Sequence, residues 1–361
     1  MTSHQQEWFN EILNTSWVLL GPNQLVQPKR DENGIWTIGN ITTDDEAIYK
    51  SCPDDNIQNI SEFYLIHHDW QVAILKRYKP AIYFCAFGNE AILQYVQLAV
   101  NSLIQFGKWQ HDIIIFTGLE TKENLISKLA PFNLGGKLHI IDIMPADKPL
   151  DWYTARYRID ACPLLQQAQP ILYLDVDFLC DGPLDSLFIQ LIDSPYIHAC
   201  KEGVIGEGSP NSEGHWYGWR LMQADHVPFN PDERGFSSGA LFYKNFQLAA
   251  PFFKMILQSA YGYIQKQKDK LVSYDQRFAN YILYKYKKVE IHYLAQYLRL
   301  YRIPENTTQT PDINDRLGLV HFLGATLENK LLTMQDYFSQ LNARITSSSQ
   351  HNISKISTMI V

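Results

Sequence analysis

ILYLDVDFLCDGPLDSLF, residues 171–188, joins a strongly apolar run to a pair of acidic residues. The run is continuous, as expected of a β-strand that is covered on both faces. Asp175 and Asp177 follow it, and residues two apart on a strand point the same way. Two neighbouring carboxylates repel each other unless a cation lies between them, and their hard oxygen donors suit Mg²⁺ or Mn²⁺. This stretch therefore predicts a divalent-cation site at the end of a buried strand.

Strands and helices alternate around this stretch. Apolar runs predict further strands at 81–87, 112–117, 137–142, 196–200 and 239–243. Helices are predicted after Asn89, where apolar residues recur every three or four positions, and at about 121–130 and 153–168. This alternation predicts an α/β fold with a Rossmann-like, mostly parallel sheet and helices on both faces. Ligands of such sheets bind beyond the carboxyl ends of the strands, where the acidic pair lies.

The first 80 residues differ from the rest of the chain in their sequence pattern. Clusters of turn-forming residues separate short strand-like pieces, and DENG (31–34) between LVQ and IWTI predicts a hairpin. We expect residues 1–80 to form a small accessory module that is partly β, and residues 81–343 to form the main α/β domain. The serine-rich tail, 344–361, is expected to be either flexible or a short terminal helix.

The composition is that of a folded protein with an acidic balance. Hydrophobic residues make up 46% of the 361 residues and charged residues 19%, which argues against disorder. The net charge of −7 argues against a nucleic-acid or anionic-membrane partner, since such a partner requires a basic face. The five cysteines are scattered and form no CxxC pair, which is typical of a reducing compartment. With no secretory signal and no apolar run long enough to span a bilayer, we expect a cytoplasmic location without a transmembrane segment.

Further motifs surround the acidic pair in a definite order. Asn89 follows the first strand, Arg158 precedes the acidic pair within RYR, and after it come FSSGALFY (236–243), SYDQRFAN (273–280) and VHFLG (320–324). Over about residues 81–330, this order resembles glycosyltransferase family 8, the group of glycogenin and the lipooligosaccharide galactosyltransferases. The resemblance implies the GT-A fold for the catalytic domain, residues 81–343.

The resemblance also implies an activity. It is that of a metal-dependent, retaining glycosyltransferase, which moves a hexose from a nucleotide-diphosphate sugar to an acceptor. The family implies a UDP-hexose as the donor, and the motifs do not identify the acceptor. Mn²⁺ or Mg²⁺ would be held by Asp175, Asp177 and His321. Gln276 and Asp275 would lie beside the donor sugar as catalytic residues. The residues implied in donor binding are Ala86, Asn89, Arg158, Asp175, Val176, Asp177, Ser238, Gly239, Gly324 and Lys330.

Two departures from the family pattern keep other functions open. Ser237 stands in the place of the family's asparagine, and Gly324 is followed by ATLENK, so the lysine expected at the diphosphate is displaced to Lys330 or absent. One alternative is therefore a nucleotide-sugar-binding protein with weak or no transfer activity. The other is a nucleotidyltransferase or phosphohydrolase that uses the acidic pair. A haloacid-dehalogenase-type phosphatase is disfavoured, because its hhhhDxDxT pattern requires threonine where this chain has Leu179.

Several of these residues also have a purely structural interpretation. His321 lies in an apolar run, where a histidine is often a buried core residue, and Asp275 suits the positive end of a helix dipole. Asp181 and Asp185 are expected in the turn and cap of the helix that follows them. The aromatic segment 215–229 fits plain packing as well as stacking on a sugar or an apolar acceptor.

Overall fold

The structure is a computed structural model of the chain. It describes residues 17–20, 24–33, 35–39, 41–43, 48–49, 62–66, 72–132, 134–143, 149–207, 216–266, 275–305 and 307–358.

The strands and helices of these residues are numbered in chain order. The strands are β1 (Trp17–Leu20), β2 (Gln24–Val26), β3 (Lys29–Arg30), β4 (Trp36–Ile38), β5 (Ile41–Thr43), β6 (Ile48–Tyr49), β7 (Glu62–Ile66), β8 (Val72–Tyr78), β9 (Ala81–Ala86), β10 (Asp112–Thr117), β11 (Leu138–Asp142), β12 (Ile171–Leu174), β13 (Phe178–Cys180), β14 (Ile197–Val204), β15 (Arg234–Tyr243), β16 (Val289–Glu290), β17 (Leu298–Arg302) and β18 (Leu319–Leu323). The α-helices are α1 (Glu90–Gln105), α2 (Leu119–Leu129), α3 (Pro149–Thr154), α4 (Pro163–Gln167), α5 (Asp185–Leu191), α6 (Trp219–Ala224), α7 (Phe246–Lys266), α8 (Gln276–Lys285) and α9 (Leu327–Thr358).

Seven strands form the central sheet, in the order β11-β10-β9-β12-β15-β14-β16. The first four run parallel to one another, and β14 and β16 also pair in parallel, whereas β15 is antiparallel to both of its neighbours. The sheet separates two apolar clusters. Side chains of α1, α2 and α5 belong to the cluster on one face, and side chains of α7 and α8 belong to the cluster on the other. The predicted α/β fold, with a mostly parallel sheet and helices on both faces, is confirmed.

A second, three-stranded sheet has the order β13-β18-β17. The segment Asp175–Asp177 links β12 of the central sheet to β13 of this small sheet. β13 pairs antiparallel with β18, and Phe178 lies opposite His321 in the register. A third apolar cluster, which includes Val320 of β18 and Tyr337 of α9, packs the long helix on this sheet. The small sheet therefore brings the VHFLG segment next to the acidic pair.

The helix predicted at 153–168 is not continuous. The chain instead forms α3, two 3₁₀ turns (Ala155–Tyr157 and Ile159–Ala161) and α4. Pro163 is the first residue of α4, and Cys162 before it is extended, with φ −122° and ψ 103°. A proline has no N–H to donate and disfavours the helical conformation of the residue before it, so a helix cannot run through this point.

The C-terminal helix is longer than expected. α9 runs from Leu327 to Thr358 and crosses the boundary predicted at 343, because the sequence has no glycine or proline there to stop it. Residues 344–358 of the predicted tail therefore continue α9, the division of the chain at 343 remains a prediction, and residues 359–361 lie outside the described residues. Among the helices that the structure describes, none has a stretch long and apolar enough to cross a membrane.

Two antiparallel sheets are described before residue 80, with the orders β2-β1-β8-β7-β6 and β3-β4-β5. The predicted hairpin is formed by β3 and β4, and Oδ1 of Asp31 accepts from the backbone N–H of Asn33 at 2.9 Å and of Ile35 at 2.8 Å. Its first strand is Lys29–Arg30, whereas the LVQ segment overlaps β2, which pairs with β1. The β content expected of this region is therefore present in its described part.

The side chains of Leu19 and Tyr78 connect this region to the main domain. Both are buried in the same apolar cluster as Ile82 and Trp109, and the ring of Tyr78 meets His111 edge-on at 5.5 Å between centroids. The division of the chain at residue 80 remains a prediction, with Tyr78 packing across it.

Candidate active site

The acidic pair lies in the link between the two sheets. The N–H of Asp175 donates to the carbonyl of Gly239 in β15 at 2.8 Å, and the carbonyl of Asp177 accepts from the N–H of Phe322 in β18 at 3.0 Å. Each of the two residues is thus fixed by a different sheet. Both lie beyond the carboxyl end of β12, where open α/β sheets bind their ligands.

Asp175, Asp177 and His321 come together as the sequence predicts. Each offers one ligand atom, and these atoms all lie within 4.8 Å of one another. Nε2 of His321 is 3.1 Å from Oδ1 of Asp177, while its Nδ1 is buried with no hydrogen-bond partner in the described part of the chain. A buried ring nitrogen without a partner costs free energy unless a ligand binds there. Two carboxylates and an imidazole form a donor set that suits Mn²⁺, so these residues fit a divalent cation.

Gly239 leaves the space in which these side chains meet. A Cβ at this position would lie 2.5 Å from Cε1 of His321 and 2.8 Å from Oδ2 of Asp175. The His321 ring also stacks on Phe178, with 4.0 Å between the ring centroids. Steric crowding therefore explains why FSSG has a glycine at this position, since any side chain there would displace the candidate cation ligands.

Arg156 is the basic residue that joins the acidic groups. Its Nη2 lies 3.1 Å from Oδ1 of Asp175 and its Nε lies 3.5 Å from Oδ2 of Asp275. Its Nη1 donates to the carbonyl of Ser238 at 2.8 Å, and the guanidinium lies over the ring of Tyr173. Sequence reasoning singled out the second arginine of RYR and missed this one. The only signal for Arg156 was its presence in the same triplet.

Arg158 and Asn89 have other partners. Nη2 of Arg158 donates to the hydroxyl of Tyr261 at 2.6 Å and lies 3.6 Å from Oδ1 of Asp151. Asn89 caps α1, because its Oδ1 accepts from the N–H of Ala91 at 3.1 Å. The roles of Arg158 and Asn89 in donor binding remain predictions.

Lys330 reaches the acidic pair from the start of α9. Its Nζ lies 2.5 Å from Oδ2 of Asp177. Burial opposes the ionised form of Asp177, but Lys330 and His321 outweigh burial and lower the pKa of this carboxyl. Burial raises the pKa of Asp175; Arg156 opposes this change and the charge of Asp177 adds to it. The two carboxyls thus differ in the direction of their pKa shifts, because the basic neighbours outweigh burial at Asp177 and do not outweigh it at Asp175.

Asp275 and Gln276 lie where α8 begins. Asp275 is buried and makes no capping hydrogen bond to the helix; its Oδ2 accepts from the hydroxyl of Tyr157 at 2.6 Å. Oε1 of Gln276 accepts from the N–H of Ser238 at 3.2 Å, and its Nε2 donates to Oε2 of Glu202 at 3.3 Å. Gln276 is therefore hydrogen-bonded to the backbone of FSSG, and Asp275, the N-cap residue of α8, is linked to the same backbone through Arg156.

The remaining predicted donor residues frame this network. Ala86 is the buried last residue of β9, and Val176 is partly buried between the two carboxylates. Gly324 has a φ of +71° and the next residue, Ala325, has a φ of +60°. These two left-handed residues turn the chain sharply between β18 and α9, which is how Lys330 comes to face Asp177.

Asp181 is not a residue of an exposed turn. It is wholly buried, its Oδ2 accepts from the hydroxyl of Tyr337 at 2.8 Å, and its Oδ1 accepts from the N–H of Gly318 at 2.8 Å. It therefore ties β13 to α9, a long-range contact that local sequence cannot show. Asp185 lies in the first turn of α5, as expected, although Leu184 is the capping residue.

The aromatic residues of the segment 215–229 differ in exposure, which bears on whether they pack in the core or stack on a sugar. Trp216 is 43% exposed, whereas Tyr217 is buried. His215 lies outside the described residues. Trp219 and Phe229 pack against the cluster that contains Tyr217, so packing is shown for these three residues, and stacking on a sugar stays a prediction for Trp216.

A solved glycosyltransferase structure shares this fold. The galactosyltransferase LgtC, solved in complex with donor and acceptor sugar analogues, is 18% identical; the match covers 73% of this chain and 95% of that chain, with a TM-score of 0.51. Mouse xyloside xylosyltransferase 1 in its apo form is 13% identical over 67% of this chain and 96% of that chain, with a TM-score of 0.44. The match to LgtC shows that the fold is that of the GT-A glycosyltransferases.

The family follows from the sequence match. Residues 111–326, more than half of the chain, match the family described as Glycosyl transferase family 8. The chain belongs to this family and is a glycosyltransferase that depends on a nucleotide sugar, which confirms the resemblance seen in its motifs. No curated protein sequence matches the chain.

Proposed function

We propose that the protein is a metal-dependent, retaining hexosyltransferase that uses a UDP-sugar as donor. The observation that carries this proposal is the cluster of Asp175, Asp177 and His321, in which Nδ1 of His321 is buried and lacks a partner among the described residues. Family membership supports the choice of donor. The acceptor is a hydroxyl group of a glycan, a protein or a small molecule.

Departure of the diphosphate is the demanding part of this reaction, because negative charge builds up on the leaving oxygen. Mn²⁺ or Mg²⁺, held by Asp175, Asp177 and His321, would supply a Lewis acid at that oxygen. Lys330 is a second source of positive charge: its Nζ is 2.5 Å from Asp177 and can turn to a diphosphate bound beside the pair. In this proposal Lys330 takes the place of the displaced family lysine.

Asp275 and Gln276 act on the donor sugar in this proposal. The carbonyl oxygen of Gln276 keeps a lone pair beyond its bond to Ser238 and can face the positive charge that develops at the anomeric carbon. An amide oxygen stabilises such charge without being a strong nucleophile, which suits transfer with retention. Arg156 contacts both Asp175 and Asp275 and so sets the spacing between the metal side and the sugar side of the site.

The rest of the donor would lie along the carboxyl ends of the strands. We assign Ala86 and Asn89, at the end of β9, to the base and ribose, and Arg158 to the phosphates or the sugar. The backbone at Val176, Ser238, Gly239 and Gly324 would line the diphosphate and the sugar.

The test is slow hydrolysis of UDP-hexoses by the whole chain, with water as acceptor. We expect release of UDP in the presence of Mn²⁺, loss of this activity with a chelator, and first appearance of the α-anomer from an α-linked donor in proton NMR. First appearance of the β-anomer would contradict retention. Equal rates with and without the chelator would contradict metal dependence.

The same samples separate the two alternatives. A nucleotide-sugar-binding protein would bind UDP with Mn²⁺ but release no hexose with water or with any acceptor of a panel. A nucleotidyltransferase would form a UDP-sugar from UTP and a hexose 1-phosphate. The cytoplasmic location remains a prediction; the described cysteines, Cys85, Cys162, Cys180 and Cys200, are free thiols.

A further inference from the structure

Glu202 is a carboxylate beside the candidate site that no motif includes. It lies on β14, and its Oε2 accepts a hydrogen bond from Nε2 of Gln276 at 3.3 Å. On the other side of the same amide, Oε1 of Gln276 accepts from the N–H of Ser238 at 3.2 Å. Gln276 is therefore held between a strand of the central sheet and its neighbour in that sheet.

These two contacts specify one orientation of the Gln276 amide. A backbone N–H can only donate, so Ser238 requires the oxygen of the amide on its side. An ionised carboxylate can only accept, so Glu202 requires the NH₂ group on the opposite side. An amide with oxygen and nitrogen exchanged would lose both hydrogen bonds and would place two acceptors together.

Tyr217 lies against the residue that follows Glu202 on β14. Its hydroxyl accepts from the N–H of Gly203 at 2.9 Å. Two glycines leave room for the ring: a Cβ at Gly235 would lie 2.3 Å from it, and a Cβ at Gly203 would lie 2.8 Å from its hydroxyl. The part of β14 that carries Glu202 is therefore packed closely against Tyr217.

We propose that Glu202 is a positioning residue of the transfer reaction, which orients and polarises the amide of Gln276. This inference rests on the proposed function, because it assigns Glu202 a role through Gln276. The negative charge on the NH₂ side strengthens the negative character of the amide oxygen, since hydrogen bonds in a chain polarise one another. That oxygen is the atom that would face the positively charged sugar in the transition state.

A double-mutant cycle tests this role. Rates of UDP-hexose hydrolysis are compared for the wild type, Glu202→Gln, Gln276→Ala and the double variant. Glu202→Gln keeps an acceptor oxygen but removes the charge, so we expect kcat to fall about 10-fold, with unchanged affinity for UDP and Mn²⁺. In the Gln276→Ala background the same change should alter kcat less than about 2-fold, because the residue through which Glu202 acts is absent.

The cycle has a matched control and an outcome that overturns the inference. Glu123→Gln removes the same charge from an exposed position on α2 and should leave kcat unchanged. If Glu202→Gln lowers kcat by the same factor with and without Gln276, Glu202 acts independently and the inference is wrong. If Glu202→Gln also lowers the melting temperature and the affinity for UDP enough to account for the lost rate, Glu202 has a structural role and the inference is wrong.

A second readout does not depend on transfer activity. In nitrogen-15 NMR, the side-chain NH₂ of Gln276, assigned by its loss in Gln276→Ala, should give two separate proton signals that exchange slowly. In Glu202→Leu these signals should move together and exchange faster, and an unchanged spectrum would overturn the inference. A wild type that hydrolyses no UDP-sugar would instead defeat the proposed function, whatever the spectrum shows.

Discussion

Each carboxylate of the acidic pair has a basic partner in the chain, Arg156 for Asp175 and Lys330 for Asp177. In the two pairs, the balance between burial and the basic partner shifts the carboxyl pKa in opposite directions. The lowered pKa of Asp177 means that the fold favours its charge, and the raised pKa of Asp175 means that the fold disfavours its charge. Substitutions that remove the charge but keep the shape should therefore have opposite effects on stability.

We predict that Asp175→Asn leaves the melting temperature equal or higher, whereas Asp177→Asn lowers stability by roughly 1–3 kcal/mol, the range of a lost charged hydrogen bond. Both variants should lose Mn²⁺ binding, because each removes one ligand of the cluster. Calorimetry without metal measures the stability change, and Mn²⁺ binding is followed by electron paramagnetic resonance. Equal shifts in melting temperature for the two variants would contradict the difference between them.

A second prediction concerns the displaced lysine. Lys330→Met should weaken the binding of UDP in the presence of Mn²⁺ by about 10-fold, because a diphosphate loses one charged partner. Lys254→Met on α7 is the control, since it removes the same charge from an exposed helix position. Titration calorimetry gives both affinities. An unchanged affinity in Lys330→Met would mean that the family's diphosphate lysine is absent from this protein.

The acidic pair and His321 were predictable from sequence, but the arginine beside them was not. The motifs indicate which strands end at the site, and each strand is a short, mostly apolar run. The choice between Arg156 and Arg158 depends on the rotation of the chain between α3 and α4, where 3₁₀ turns replace a regular helix. Glu202 was missed for a related reason, because its contact with Gln276 joins residues 74 positions apart.

At the scale of elements, β14 and β16 are joined by a buried histidine. Nδ1 of His198 lies 2.9 Å from Oε2 of Glu290, and its Nε2 lies 2.6 Å from Oγ of Ser194. The rings of Phe242 and Tyr293 meet the imidazole edge-on. Burial lowers the pKa of His198 below 6.5, although Glu290 partly opposes this shift.

This shift predicts a pH dependence of stability. Because the folded-state pKa is below the unfolded value of 6.5, the unfolded chain binds the proton first as the pH falls. The contribution of His198 is therefore complete above pH 6.5 and is lost between 6.5 and its folded value, by at most about 1.4 kcal/mol per pH unit. Urea unfolding at several pH values should show that the free energy of unfolding falls less at acid pH for His198→Gln than for the wild type. Equal slopes of the free energy of unfolding against pH would contradict the assignment.

Elements with long apolar runs were predicted well, and elements that depend on distant contacts were not. β9, β10 and β12 lie within one or two residues of their predicted ends, because a buried strand must be apolar throughout. β17 (LRLYR) contains Arg299 and Arg302 and was not predicted; it pairs in parallel with β18. Its place at the edge of the small sheet allows two of its five side chains to be charged.

At the scale of the whole molecule, the relation between the first 80 residues and the main domain is open to a direct test. We predict that a chain starting at Val72 folds and binds UDP with Mn²⁺ as the full chain does, with a lower melting temperature because Leu19 no longer packs in the core. A chain starting at Ala81 also loses Tyr78, a fully buried aromatic residue, and should be less stable by about 3–5 kcal/mol.

Melting curves and UDP titrations of both truncated chains make the comparison. If the chain from Val72 is folded but does not bind UDP, the removed residues belong to the donor site and the division near residue 80 is wrong. Changed acceptor preference with unchanged donor hydrolysis would assign the region to the acceptor.

The position of the acidic pair between two sheets also has a kinetic consequence. Asp177 and His321 are 144 positions apart in the chain, and their side chains meet only when β13 has paired with β18. Asp175 is held by β15 of the central sheet, so the full cluster also requires both sheets. Contacts at such a distance form late, because a long loop must close before they contribute free energy. During refolding from urea, we expect the capacity to capture Mn²⁺ to return after the helical circular dichroism signal. The change in water proton relaxation when Mn²⁺ binds would then give the rate of the last stage of assembly.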